Sequence, residues 1–287
     1  MWRSVLFVPV LEERFVAKAL ERGADAIVLD LEASIAAHRK AEARAALPAV
    51  VERLRGHGTD VLVRINTCWR PALLDLEAAA MDGVRALVVP DCREVAEVAA
   101  IDGVLGELEA ERALPPNGIG LVPILESAQG VLAGRDIAAA AERVVGLTFG
   151  IEDYVADMEA VLDPYSLHHV ALQVAQMARA AGVEPFVVPE SLANLSELDR
   201  FRTAAQAGRD MGSRGGFAVH PNQVAILNEV FTPSEDEIAS ARKIVAAADD
   251  AEAAGTGAVS LDGRMIDLPI VIRAKRLLAR VPSASDP

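Results

Sequence analysis

Short runs of branched apolar residues recur through the chain, separated by stretches rich in alanine, leucine, glutamate and arginine. They are Ser4–Pro9, Ala26–Leu31, Val61–Ile65, Ala86–Pro90, Gly120–Leu125, Val144–Phe149, Pro185–Val188 and Gly216–Val219. Runs this short and this continuously hydrophobic read as strands buried on both faces, the mark of a parallel sheet. The stretches between them read as helices, among them Glu12–Gly23, Ala36–Arg55, Glu94–Leu108, Leu132–Arg143 and Leu167–Ala181. Eight strands alternating with helices predict an α/β protein of the (β/α)8 TIM-barrel type. A doubly wound open sheet would share most of the pattern. A length of 287 residues suits one barrel plus an appendage.

The grammar changes after the eighth strand, and the expected domains are a barrel over 1–231 and a C-terminal extension over 232–287. Thr232-Pro233-Ser234-Glu235 reads as a capping box, with a helix running to about Asp250. An Ala/Gly-rich break follows. Asp262-Gly263 is then a hairpin signal, and a last helix spans Ile270–Arg280. The extension is long enough to pack subunits together and to serve as an active-site lid segment.

The net charge of −14 sets the surface against phosphodiester backbones and anionic headgroups, so neither nucleic acid nor membrane is an expected partner. No run of 18 apolar residues occurs and the N-terminus lacks a signal-peptide pattern, so a cytoplasmic location is expected. Two cysteines, Cys68 and Cys92, match neither a disulfide framework nor a zinc motif.

In such a barrel the reactive groups gather where strands end. Asp30 and Glu32 end the second strand, Arg64 and Asn66 the third, Glu126 the fifth, Glu152 and Asp153 the sixth, and His220 the eighth. Glu126 and Asp153 form a candidate pair for a hard divalent cation such as Mg2+, although either acid could instead favour a helix start. Arg64 is able to clamp a substrate carboxylate, or to balance Asp30 and Glu32 in a buried network. His220 is expected to donate to backbone and fix its loop. His168-His169 lacks a third ligand for zinc. No glycine-rich phosphate loop or nucleophile elbow is present.

Several stretches, taken in order, resemble the citrate lyase β-subunit branch of the HpcH/HpaI aldolase family. They are RSVLFVPV, GADAIVLDLEASI, VRINT, VPILESAQGVL, GLTFGIEDYVADM, GFAVHPNQVAILNEVFTPSEDEI and GRMIDLPIVIRAKRLL, spanning Arg3 to about Leu278. The resemblance implies a Mg2+-dependent carbon–carbon lyase that cleaves or forms a β-hydroxyacyl-CoA thioester of the malyl-, citramalyl- or citryl-CoA type. The partners would be a 2-oxo acid and an acyl-CoA, joined through an enolate, in a homotrimer or hexamer.

Carried over by position, Glu126 and Asp153 would bind the metal, Glu126 also touching substrate. Arg64 would hold the substrate's oxygen-rich end and act in catalysis. Asp267, delivered from a neighbouring subunit's tail, would be the acid/base. Asp30, Glu32 and Asn66 would support them. Four departures stand out. Val10 replaces a glycine near the expected CoA entry and is expected to crowd the pantetheine path. Ala33 replaces a second acid, Ser191 stands where aspartate is frequent, and GSRGG lacks a lysine. These keep two alternatives open, a CoA-independent 2-oxo acid aldolase and a non-catalytic dicarboxylate-binding paralogue.

Overall fold

The computed structural model describes residues 2–161, 163–253, 259–261 and 263–281. They fall into two compact units, Met1–Phe231 and Thr232–Pro287. In the first, eight parallel strands run β1 Ser4–Pro9, β2 Ala26–Asp30, β3 Asp60–Arg64, β4 Val84–Val89, β5 Gly120–Leu125, β6 Gly146–Phe149, β7 Glu184–Phe186 and β8 Gly216–Ala218. Neighbours pair in the order β7-β6-β5-β4-β3-β2-β1-β8, so the sheet curls into a nearly closed barrel. The β7–β8 seam has no strand ladder among the described residues. Ser213 stitches it instead: its hydroxyl donates to Pro185 O and accepts from Val187 N, while Arg214 N donates to Pro185 O.

Strand parity sorts the residues. Val5, Ala26, Val28, Leu62, Ala86, Val88, Val122, Ile124, Phe186 and Phe217 fill the barrel interior. Their neighbours along the strands, such as Leu6, Ile27, Leu29, Val63, Leu87 and Leu121, pack outward in the layer beneath the helices. Each fully buried leucine or isoleucine contributes about 1.5–3 kcal/mol by leaving water, which is why both faces of these strands are apolar. The same parity runs to the strand ends and past them. Asp30, Arg64, Glu126, Thr148, Gly150 and Glu190 continue the inward rows, and all of them line the cavity at the strands' C-terminal end.

Helices cover the barrel: α1 Glu13–Val16, α2 Lys40–Leu54, α3 Trp69–Ala79, α4 Val95–Glu111, α5 Ala128–Ala138, α6 Ile151–Asp157, α7 Pro164–Ala181, α8 Leu198–Asp210 and α9 Pro221–Phe231. The helix expected over Glu12–Gly23 is broken instead. Glu12 makes no side-chain cap and Gly23 turns left-handed at φ 68°, leaving α1 and a 3-10 turn over Leu20–Arg22. α5 starts four residues earlier than expected because Ser127 caps it, accepting from Gly130 N at 3.1 Å.

The second unit contains α10 Glu235–Ala253, the antiparallel pair β9 Val259–Leu261 and β10 Arg264–Ile266, and α11 Leu268–Leu278. The capping box here is Ser234 with Glu237, each side chain bonding the other's backbone N–H, two residues later than Thr232. Asp262 and the 254–258 part of the Ala/Gly-rich break lie outside the described residues.

Candidate active site

A cavity of about 510 Å3 opens at the C-terminal end of the barrel strands. Its chemistry begins with register. Asp30 and Arg64 are paired positions on β2 and β3, so the guanidinium meets the carboxylate side-on. Arg64 Nε and Nη2 donate to the two Asp30 oxygens at 2.7 and 2.8 Å, and Nη1 lies 3.3 Å from Glu32 Oε2. The pair is nearly dry, Arg64 18% and Asp30 2% exposed along their side chains. Burial would push the Asp30 carboxyl up, but Arg64's hydrogen bonds and charge outweigh it and hold it below the ordinary range. Burial raises Glu32 despite Arg64. The guanidinium also sits 4.6 Å from the centre of the Phe7 ring, a cation–π contact that fixes its plane.

Glu126 extends β5 by one residue. Because Ser127 caps α5, the Glu126 carboxylate is not consumed at the helix start. The register Leu125↔Phe149 brings it opposite Gly150, and a Cβ there would stand 2.4 Å from Glu126 Oε2. Glycine is what lets the β6–α6 turn pass this carboxylate. Its other oxygen, Oε1, accepts from Asp91 N at 2.5 Å. Asp153 lies in the first turn of α6 and lines the same cavity. Burial pushes Glu126 up to about 8; the Asp91 N–H opposes this, and the charges of Asp153, Asp91 and Glu32 add to it.

Two acids close enough to repel, one of them desolvated, suit a divalent cation. Among the described residues no three His, Cys, Asp or Glu side chains form a self-sufficient metal set. A cation here would take two protein oxygens and keep open positions, which is magnesium's habit and not zinc's. The residues present fit Mg2+.

Asn66 stands behind this site as a bracket. Its N–H and Nδ2 donate to Asp75 Oδ2 at 2.8 and 2.6 Å, and Nδ2 also reaches Leu31 O. Asp267 is exposed and caps α11 in the second unit, whereas the residues lining the cavity belong to the first. Val10 is 3% exposed and packed in the outer core, so it does not line the cavity, contrary to the expected crowding. Ala33 does line it. Ser191 is buried and its hydroxyl donates to Glu152 Oε1. His220 Nδ1 accepts from Asn222 N at 3.2 Å, so it fixes its loop as acceptor and not as the expected donor.

Glu190 and Thr148 were not singled out from the sequence. Both continue inward rows, Thr148 donating to Phe186 O at 2.7 Å and Glu190 accepting from Arg200 Nε at 2.5 Å. Counting parity along β6 and beyond β7 would have found them.

A barrel that sets a buried arginine and two acids around one cavity at its strand ends has the framework of an enzyme active site. The HpcH/HpaI aldolase/citrate lyase family profile matches residues 3–221, and the chain belongs to that family, the carbon–carbon lyases. It is 31% identical over 283 residues to citrate lyase subunit beta of Escherichia coli, covering 97% of this chain and 92% of that protein. It is 33% identical over 285 residues to (3S)-malyl-CoA thioesterase of Cereibacter sphaeroides, covering 97% and 94%. Among solved structures, CitE of Mycobacterium tuberculosis in complex with magnesium, acetoacetate and coenzyme A superposes with a TM-score of 0.73. That protein is 26% identical, the match covering 96% of this chain and 97% of that one.

Proposed function

We propose that this lyase cleaves or forms a β-hydroxyacyl-CoA thioester, its two halves being a 2-oxo acid and an acyl-CoA, with Mg2+ as cofactor. The observation that carries this reading is the convergence of Glu126, Asp153 and Arg64 on one cavity. Glu126 and Asp153 would hold the cation. When bound, it supplies Lewis-acid polarisation of a carbonyl and a template for substrate oxygens. The magnesium, acetoacetate and coenzyme A held by the Mycobacterium relative suit a site that takes an oxo acid and a CoA thioester beside a divalent cation.

The chain's own groups account for the rest. Arg64, oriented by Asp30, Glu32 and the Phe7 ring, faces the cavity with fixed positive charge. It stabilises negative charge developing on a substrate oxygen without reorganising. Asn66 and Asp75 hold the end of β3 from behind. Asp267, from the tail of a second copy, takes the proton from the thioester's α-carbon. The electron pair left behind forms the new bond to the oxo carbon, and the former carbonyl oxygen gains a proton to become the hydroxyl. Cleavage runs the same path in reverse.

Exposed Met265 and Leu268 on the second unit suit subunit packing in a trimer or hexamer. Among the described residues no helix is long and apolar enough to cross a membrane. The free thiols Cys68 and Cys92 suit the reducing cytoplasm.

The CoA-dependent reading is favoured over a CoA-free aldolase because Val10 is turned into the core. Incubation with acetyl-CoA, Mg2+ and pyruvate or glyoxylate, followed by mass spectrometry, tests it. A condensed thioester is expected. Product formed only when a free aldehyde replaces acetyl-CoA would transfer the protein to the CoA-independent aldolases. Release of free CoA from the condensed thioester would place it with the thioesterases. No turnover with any donor would favour the non-catalytic paralogue. Glu126→Gln should abolish Mg2+-dependent binding of the 2-oxo acid with the fold retained, as calorimetry and circular dichroism would report.

A further inference from the structure

The cavity lining holds two unlike sets of side chains. One is acidic, Glu126, Asp153, Glu152 and Glu190. The other is apolar. Phe217 stacks on Phe7 at 5.3 Å between ring centres and meets Phe186 edge-on at 6.3 Å, and Val188, Leu192 and Val219 extend the surface. Arg64 is the one basic side chain lining the cavity among the described residues. Its Nε, Nη1 and Nη2 already face Asp30 and Glu32. Arg200 is spoken for as well, paired with Glu190 and absent from the lining.

A substrate made from a 2-oxo acid brings one carboxylate in every case. What differs is the group on the far side of the oxo carbon. If that group carries a second carboxylate, as in oxaloacetate or 2-oxoglutarate, it meets aromatic rings and valines, or acids of which Glu126 and Asp153 would already hold the cation that takes the first carboxylate. Neither set leaves it a cation of its own, and an uncompensated buried carboxylate is strongly disfavoured. An alkyl group meets the opposite situation, since each methylene laid on the apolar set leaves water.

We infer that the oxo acid this site accommodates is a 2-oxo monocarboxylate with an alkyl side chain longer than methyl, and that 2-oxo dicarboxylates are excluded. The corresponding thioester carries a tertiary alcohol at its β-carbon, bearing one carboxylate and one alkyl group. The inference rests on the lyase reading above and narrows its substrate class. It sets this chain apart from a citryl-type specificity, where the released oxo acid is a dicarboxylate.

The test is calorimetric titration of the full chain in Mg2+ with glyoxylate, pyruvate, 2-oxobutyrate, 4-methyl-2-oxopentanoate, oxaloacetate and 2-oxoglutarate. The dissociation constant is expected to tighten roughly fourfold per added methylene from glyoxylate to 2-oxobutyrate. The dicarboxylates should bind at least tenfold more weakly than 2-oxobutyrate. Val219, 43% exposed, tolerates a polar side chain, and Val219→Lys places a cation among the apolar groups. It should shift the dicarboxylate-to-alkyl ratio at least tenfold toward the dicarboxylate, and Leu192→Lys should do the same. A flat series, a dicarboxylate that binds as tightly as 2-oxobutyrate, or an unmoved ratio in both variants overturns the specificity while leaving the lyase reading standing. Failure of every acid to bind in Mg2+ overturns both.

Discussion

The N–H of Asp91 reaches Glu126 Oε1 across 2.5 Å from a residue held at φ 46°, in the left-handed region that side chains other than glycine seldom enter. The loop after β4 thus spends backbone strain to orient a carboxylate on β5. Arg93 Nε donates to both Asp91 oxygens at 2.9 and 3.0 Å and braces the loop further. Strain of this kind, about 1–3 kcal/mol, persists where the surroundings dictate it.

Asp91→Val should therefore weaken Mg2+ binding about tenfold. A β-branched residue resists this conformation, and losing a hydrogen bond to a charged acceptor is worth about 1.5–3 kcal/mol. Asp91→Gly keeps the N–H and accepts the positive φ without cost, so its Mg2+ affinity should stay within about twofold of the parent. Calorimetric Mg2+ titration of the two variants side by side is the check. Equal loss in both would mean that the side chain, and not the backbone geometry, matters.

The raised proton affinity of Glu126 predicts a pH dependence with a definite sign. Its carboxyl titrates near 8 in the folded chain against an ordinary 4.5, so the native state keeps a proton that the unfolded state releases. The stability tied to that proton is fully present below about pH 4.5 and is lost as pH climbs through about 8. In chelator, the thermal midpoint should fall between about pH 5 and 8.5, and Glu126→Gln should remove that part of the fall. Added Mg2+ should raise the midpoint more at about pH 8.5 than at 6, because the cation competes with the proton for the same oxygens. An identical pH slope in parent and Glu126→Gln would dismiss Glu126 as its source.

The barrel was legible in the sequence because both faces of its strands are buried, which leaves continuous apolar runs such as AIVLD and GLVPIL. The charged groups at the strand ends could be read for the same reason: Asp30, Arg64 and Glu126 interrupt those runs abruptly. Glu190 was harder. β7 is only Glu184–Phe186 and contains Pro185, so the row leading to Glu190 has little pattern of its own. The helix limits after β1 and β5 went astray where a cap or a left-handed glycine, and not hydrophobic periodicity, decides where the chain turns. Whether Val10 faces the core or the opening is a matter of tertiary packing, and sequence position alone pointed to the wrong side.

Asp75 on α3 is fully buried and accepts three hydrogen bonds: from Asn66 N, from Asn66 Nδ2 and from Arg44 Nη1, the last at 2.9 Å. Asp75→Ala strands a guanidinium and two amide donors around an empty site. A loss of about 3–5 kcal/mol in urea unfolding is expected, typical of a buried ion pair deprived of one partner. Asp75→Asn keeps one acceptor oxygen and should lose less. Because Asn66 holds the end of β3, the surviving folded fraction of Asp75→Ala should also bind the oxo acid more weakly. A drop below about 1 kcal/mol would show that water replaces the carboxylate.

Asp267 caps α11 with its side chain making no cap hydrogen bond, so the carboxylate is available for chemistry without cost to the helix. If it is the group that exchanges the α-proton, Asp267→Asn leaves the metal and oxo-acid groups untouched, since none of the first unit's lining residues is altered. Binding of the 2-oxo acid in Mg2+ should then match the parent within about twofold, while deuterium uptake from solvent into acetyl-CoA should fall by about 100-fold or more, the scale of a lost general base. Mixing Asp267→Asn with Arg64→Met subunits separates the alternatives. Each defective chain retains what the other lacks, so partial recovery of exchange in mixed oligomers is expected if the tail serves a neighbour's cavity, and no recovery if each chain serves only itself. Exchange that persists in Asp267→Asn alone would leave the tail an architectural element.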